Sequence, residues 1–306
     1  MPLTVSWKDR NVDIDGTRIY RDTKPIDRDN LPPLLAEVGP GIREYEDADV
    51  VRNTLYYYAI APYKGTDEAV SQVVPLATLP DLGPGPQTLL RGDHECGYFG
   101  IVDRIELWDE VSLLEAVGFT GAYRYAELRY WVKYIWQGRI CYFPSDAVGD
   151  GLSWLDLYQK GLVYGTDNEG EFTGGVNQLT VLEKGPYQFK VRLPSSVTPG
   201  YEGSRGHYST SVGSEWNRII YPIYDGNPTD NNDGTVSHRW TNFTPDEFNG
   251  NRGHPYYTWA MELVDITSGN ALTRGERNSN VIRFSSEPMN NQNNIMAWRP
   301  VLELMP

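Results

Sequence analysis

The sequence predicts a multi-domain chain, an all-β sandwich followed by a larger, loop-rich α+β unit. Three observations point there. Residues 1–80 carry short runs of alternating apolar and polar side chains separated by turn dipeptides. A proline- and glycine-rich stretch follows over 81–95. Beyond it, 96–306 holds eight of the nine tryptophans together with short segments opened by helix-capping residues. A chain of 306 residues has room for two domains, at roughly 100–200 residues each.

In the first unit, Leu3, Val5 and Trp7 fall on one face of a strand. Gly16 to Arg21, Leu34 to Val38 and Arg43 to Asp47 read as further strands. Thr54 to Pro62 is a fifth, with Leu55, Tyr57, Ala59 and Ala61 on one side, and Glu68 to Leu76 a sixth. Asp15-Gly16, Gly39-Pro-Gly41 and Lys64-Gly65 supply the turns. Short strands at this spacing predict a sandwich. From Pro80 to Glu95, three prolines and three glycines predict a stiff, irregular linker. Its Arg91-Gly92-Asp93 tripeptide matches an integrin ligand, but three residues match by chance and these suit a turn.

The second unit shows few helices. Asp109 to Val117 is stopped by Gly118. Ser153 precedes Asp156 by three residues, and Gly161 ends that run. Ser214 opens the run to Ile220, and Thr244-Pro-Asp-Glu247 has the form of a capping box. Arg129 to Trp136, Arg139 to Phe143, Tyr187 to Leu193 and Trp298 to Leu304 read as strands.

A net charge of −14 disfavours nucleic-acid binding. The N-terminus lacks the basic and apolar regions of a signal peptide, and no apolar run is long enough to cross a bilayer. No membrane insertion is expected. Cys96 and Cys141 cannot make a zinc site alone; their pairing stays open, with buried thiols the commoner state.

Ser6-Trp7, Arg18 to Arg21, Tyr45 to Asp47 and Asn53 to Ala61 together resemble a fibronectin type III domain. The resemblance implies that Trp7 fills the core and that Tyr56 or Tyr58 braces a corner. The first strand matches the family's second, so the resemblance implies an open edge or a strand supplied by another chain. A second set of phrases resembles a recurrent module of tailed-phage virion proteins, usually described only as minor structural or tail proteins. It comprises Gly97 to Val102, Ser153-Trp154, Leu162 to Gly165, Tyr187 to Leu193 and Ser214 to Asn217. Tyr257 to Glu262, Leu272 to Gly275 and Ala297 to Glu303 complete it. The scattered tryptophans, long loops and final strand also resemble the C-type lectin fold, an analogy of architecture alone.

His94, His207, His238 and His254 sit in no metal-binding or nucleophile motif, and no phosphate-binding loop occurs, so no cofactor, metal or catalytic residue is expected. Glu215 beside Trp216, and Glu262 near Trp259, are the tidiest acid pair for glycoside hydrolysis. Structural duties weigh more: Glu215 in a first helical turn, Glu262 as partner of Arg299 or Arg274. The Asp225 to Gly234 loop is rich in oxygen ligands but lacks EF-hand spacing, and reads as a solvated turn. Trp240, Tyr256 and Tyr257 are the surface aromatics best suited to stacking on glycan. The tryptophans at 154, 216, 259 and 298 read as core.

The expected function is therefore non-enzymatic: a structural component of a tailed-phage virion, as tail fibre, collar or capsid decoration, made in the host cytoplasm. The N-terminal unit would dock on other virion proteins, as a homo-oligomer, and display the larger one. A host-receptor glycan adhesin is the alternative, and a glycan depolymerase the second alternative.

Overall fold

The structure, a computed structural model, describes residues 2–8, 13–79, 81–120, 127–203, 205, 211–224, 239–243, 257–265, 267–275 and 284–306. Strands take 39% of the described residues and helix 10%. Antiparallel sheet therefore dominates both units, and the helical share of the expected α+β unit is small.

The first unit contains β1 (Leu3–Ser6), β2 (Gly16–Asp22), β3 (Leu34–Val38), β4 (Glu44–Asp47), β5 (Leu55–Lys64), β6 (Asp67–Glu68) and β7 (Gln72–Ala77). β1 pairs with β4, while β3, β2, β5 and β6 form a second sheet in which β7 also pairs with β5. Leu3, Val5 and Trp7 are buried where Thr4 and Ser6 are exposed, as period-two alternation requires. They meet Ile19, Tyr56, Tyr58 and Ile60 in one cluster. The opposite face of β5 is also covered, with Ala59 and Ala61 packed beside Tyr20. The run from Glu68 to Leu76 is two strands, not one. Ala69 and Ser71 donate to the carbonyls of Pro62 and Ile60, but Pro62 has no N–H to return.

The second unit contains β8 (Arg91–Gly92), β9 (Cys96–Asp103), α1 (Glu110–Ala116), β10 (Tyr130–Trp136), β11 (Arg139–Pro144), β12 (Gly149–Asp150), α2 (Trp154–Gln159), β13 (Val181–Lys184) and β14 (Tyr187–Arg192). A π-helix, Trp216–Ile220, runs into α3 (Tyr221–Tyr224). β15 (Tyr257–Leu263), β16 (Asn270–Arg274), β17 (Phe284–Pro288), β18 (Met296–Trp298) and β19 (Val301–Leu304) close the chain. Asp109 caps α1 through the amides of Val111 and Ser112, and Ser153 with Asp156 forms a full capping box on α2. Ser214 accepts from the Asn217 amide at 3.2 Å, but the turn that follows is π rather than α. The Thr244 to Glu247 capping box lies outside the described residues.

A seven-stranded sheet has the order β13-β14-β19-β11-β10-β9-β8, and a five-stranded sheet the order β12-β18-β15-β16-β17. The single strand expected over Trp298 to Leu304 is two strands in two sheets. Pro300 cannot donate to a ladder; before it Trp298 pairs in the five-stranded sheet, and after it Val301 pairs in the seven-stranded one. Trp131, Trp154, Trp216, Trp259 and Trp298 are fully buried. Three of these indoles donate to backbone carbonyls, Trp131 to Trp108, Trp154 to Ala260 and Trp259 to Leu152. Each removes apolar mass from water while its N–H stays satisfied.

The Pro/Gly stretch is irregular and lies along the seven-stranded sheet. Leu82 and Leu89 pack on the main core, and β8 joins β9. The Lys133 ammonium donates to the Pro86 carbonyl at 2.7 Å. At Gly85 a Cβ would fall 2.3 Å from the Val102 side chain, so a side chain there cannot fit. The first unit abuts the same sheet. Ala77 belongs to the main core, with Leu55 packed against it. The Ala77 amide donates to His94 Nδ1 at 2.9 Å.

Candidate functional site

Alternation along three adjacent strands builds the site. On β14, Phe189 and Val191 enter the main core, so Lys190 and Arg192 face the other way. On β19, Leu302 enters that core and Glu303 faces with the bases. On β11, Ile140 and Tyr142 enter it, leaving Arg139 and Cys141 on the second face. β14, β19 and β11 are neighbours, so these side chains form one row.

The row is bound by ion pairs. Glu303 receives Arg192 Nε at 2.9 Å, Lys190 Nζ at 3.0 Å and Arg139 Nη1 at 3.1 Å. Burial alone pushes the Glu303 carboxyl up, but Arg192, Lys190 and Arg139 outweigh it and hold the group below the usual carboxylate range. Arg192 also clamps Glu215, with Nη1 at 2.7 Å and Nη2 at 2.8 Å. Glu215 is fully buried and accepts further from Tyr134 Oη at 2.7 Å and the Ser195 amide at 2.9 Å. A buried bidentate pair of this kind needs all its lone pairs met, and here four donors meet them.

A cleft of about 320 Å³ opens beside this row. Trp136, Tyr164 and Tyr201 give it aromatic walls, and Arg205, Glu171 and Glu262 join the ionic row in lining it. Arg205 grips Glu171 through both terminal nitrogens, at 2.6 and 2.9 Å. Glu262 accepts from the Ser195 hydroxyl at 2.7 Å and from the Ser196 and Val197 amides. Burial pushes its carboxyl up, against the pull of those donors and of Arg205. The expected pairing of Glu262 with Arg274 or Arg299 is not what holds it. The chain turning past Pro194 offers three donors at once, while Arg274 donates to Asn217 and Ser196, and Arg299 to Thr258. The cleft thus offers fixed donors and acceptors between aromatic faces, a composition suited to a polyhydroxyl ligand.

Of the aromatics singled out for glycan, Trp240 is half-buried and packs on the cluster around the π-helix. Tyr257 is half-buried and packs on the main core. Tyr256 lies outside the described residues, as do the Asp225 to Gly234 loop, His207, His238 and His254. Cys96 and Cys141 are free and buried. Their registers on β10, opposite Trp136 and Tyr134, put them on the strands flanking it. Two strand spacings are roughly 9–10 Å, too far for a disulfide. Among the described residues no three His, Cys, Asp or Glu side chains gather as metal ligands. Among the same residues no helix is long and apolar enough to cross a membrane.

The row and the cleft were missed at the sequence level, although one signal was there. Tyr187 to Arg192 alternates strictly, which sets Lys190 and Arg192 opposite Phe189 and Val191. Compared with protein-family models, curated proteins and solved structures, the chain matches none.

Proposed function

We propose that this chain is a structural component of a tailed-phage particle, a tail-fibre, collar or decoration protein. It docks through its N-terminal sandwich and displays the larger unit. The observation that carries this reading is an interior in which charged and aromatic groups are spent on rigidity. Glu215, Arg192 and Glu303 form a closed ionic chain, and five tryptophans, Trp131, Trp154, Trp216, Trp259 and Trp298, are fully buried. The acids best suited to hydrolysis, Glu215 and Glu262, are both held by such scaffold contacts, which weighs against a depolymerase.

The fibronectin-like reading is supported by Trp7 lying between two small antiparallel sheets and by Tyr56 Oη accepting the Val51 amide at 2.9 Å. The lectin-like reading is supported by the last strand, β19, returning between β14 and β11. Fractionation of purified particles tests the assignment. The chain is expected at a fixed ratio to the other particle proteins; recovery only from the lysate supernatant contradicts it.

A second reading, a glycan-binding adhesin, is favoured by the aromatic-walled cleft beside Glu262. It predicts retention of the full chain on immobilised host cell-wall polysaccharide, and flow-through on every such matrix removes it.

A further inference from the structure

The cleft has a neighbour. A second hollow of about 250 Å³ reaches to Asn53 and Leu79 of the sandwich and to Asp81. Both hollows are lined by Arg139, Lys190 and Glu303. Lys190 is the register partner of Glu303 on one side, and Cys141, two residues from Arg139, is its partner on the other. The three side chains therefore form a rib across β14, β19 and β11, spanning roughly 10 Å. Hollows lie on both sides of that rib, so the whole is longer than a single sugar ring.

We propose that the two hollows are one groove that binds a linear, uncharged oligosaccharide, with the Lys190–Glu303–Arg139 rib crossing under the middle of the chain. This rests on the glycan-binding reading and adds the ligand's shape and charge. Across the two hollows four cations face four acids, with Arg139 and Lys190 paired on Glu303 and Arg205 on Glu171. Matched ions offer little net attraction to a charged ligand. They do offer fixed N–H donors and carboxylate lone pairs, and sugar hydroxyls can serve both at once. Tyr201, 39% exposed, lines the cleft. An acidic polymer would meet Asp81 and Glu171 on a chain of net charge −14. Burial pushes the Glu262 carboxyl up.

Calorimetric titration of the full chain with malto-, cello- and chito-oligosaccharides of increasing length, beside polygalacturonate fragments, tests the groove. One neutral series is expected to gain at least about tenfold in affinity from monosaccharide to tetrasaccharide, with no comparable binding of the acidic fragments. Tyr201→Ala and Arg139→Gln, both at exposed positions, are expected to cost about fivefold to tenfold each, with the chain still melting cooperatively. Binding that ignores length, ignores both substitutions, or favours the acidic chain overturns the groove but leaves saccharide binding standing. Binding of none of the neutral series overturns both.

Discussion

Arg192 holds buried Glu215 through both terminal nitrogens, at 2.7 and 2.8 Å. The same guanidinium passes on to Glu303 through Nε. One side chain thereby ties the end of β14 to the start of the π-helix and to the last strand.

Removing one member of that chain strands a buried charge. Glu215→Ala is expected to lower stability by about 3–5 kcal/mol. Replacing Arg192 and Glu215 together with methionine should recover part of the loss, because that buried charge pair goes while Glu303 keeps Lys190 and Arg139 and the Tyr134 hydroxyl and Ser195 amide lose their acceptor. Urea midpoints of the single and double variants check both statements.

Lys133 gives the fold a pH dependence on the alkaline side. Burial lowers its ammonium from 10.5 to about 8, against the pull of Asp81 and Glu106. Between those values the unfolded chain binds more protons than the folded one, so stability rises with pH across that window. The wild type should gain on the order of 1–2 kcal/mol relative to Lys133→Met between about pH 8 and 9.5. Taking the difference between the two proteins removes the opposing effect of the buried tyrosines.

Gly138 sets the joint between the units. Its φ is +75°, and an added Cβ would lie 3.0 Å from Leu55 Cβ and 3.3 Å from Ala77 Cβ. Gly138→Ala should cost about 1–2 kcal/mol. The loss should appear in calorimetry as a first unit that melts earlier than the larger one, where the wild type melts as one.

The thiols should be inert in the folded chain. Burial pushes Cys96 up to about 12 and Cys141 well above its ordinary value. A thiolate is the reacting species, so a disulfide reagent at neutral pH is expected to label neither residue until denaturant is added, and then both.

How much of this was legible depended on whether a residue's role was local. Alternation at Leu3, Val5 and Trp7 and the capping pair Ser153–Asp156 act within a few positions, and both read correctly. β15 did not read as a strand, because Thr258, Trp259 and Ala260 are buried in succession and leave no alternation. The break at Pro300 was visible as a residue but not as a change of sheet. The ionic row was half legible: Lys190 and Arg192 share a face by spacing alone, whereas Glu303 lies 111 residues from Arg192 and Glu215 lies 23 away. Only the packing of sheets brings such partners together.

Electron microscopy of intact particles, with a gold label fixed to the 96–306 unit, asks the central question most directly. The account predicts label at repeated, symmetry-related positions on head, collar or tail, with the larger unit outermost. Particles that carry no label, while the same chain is abundant in the surrounding lysate, would contradict it.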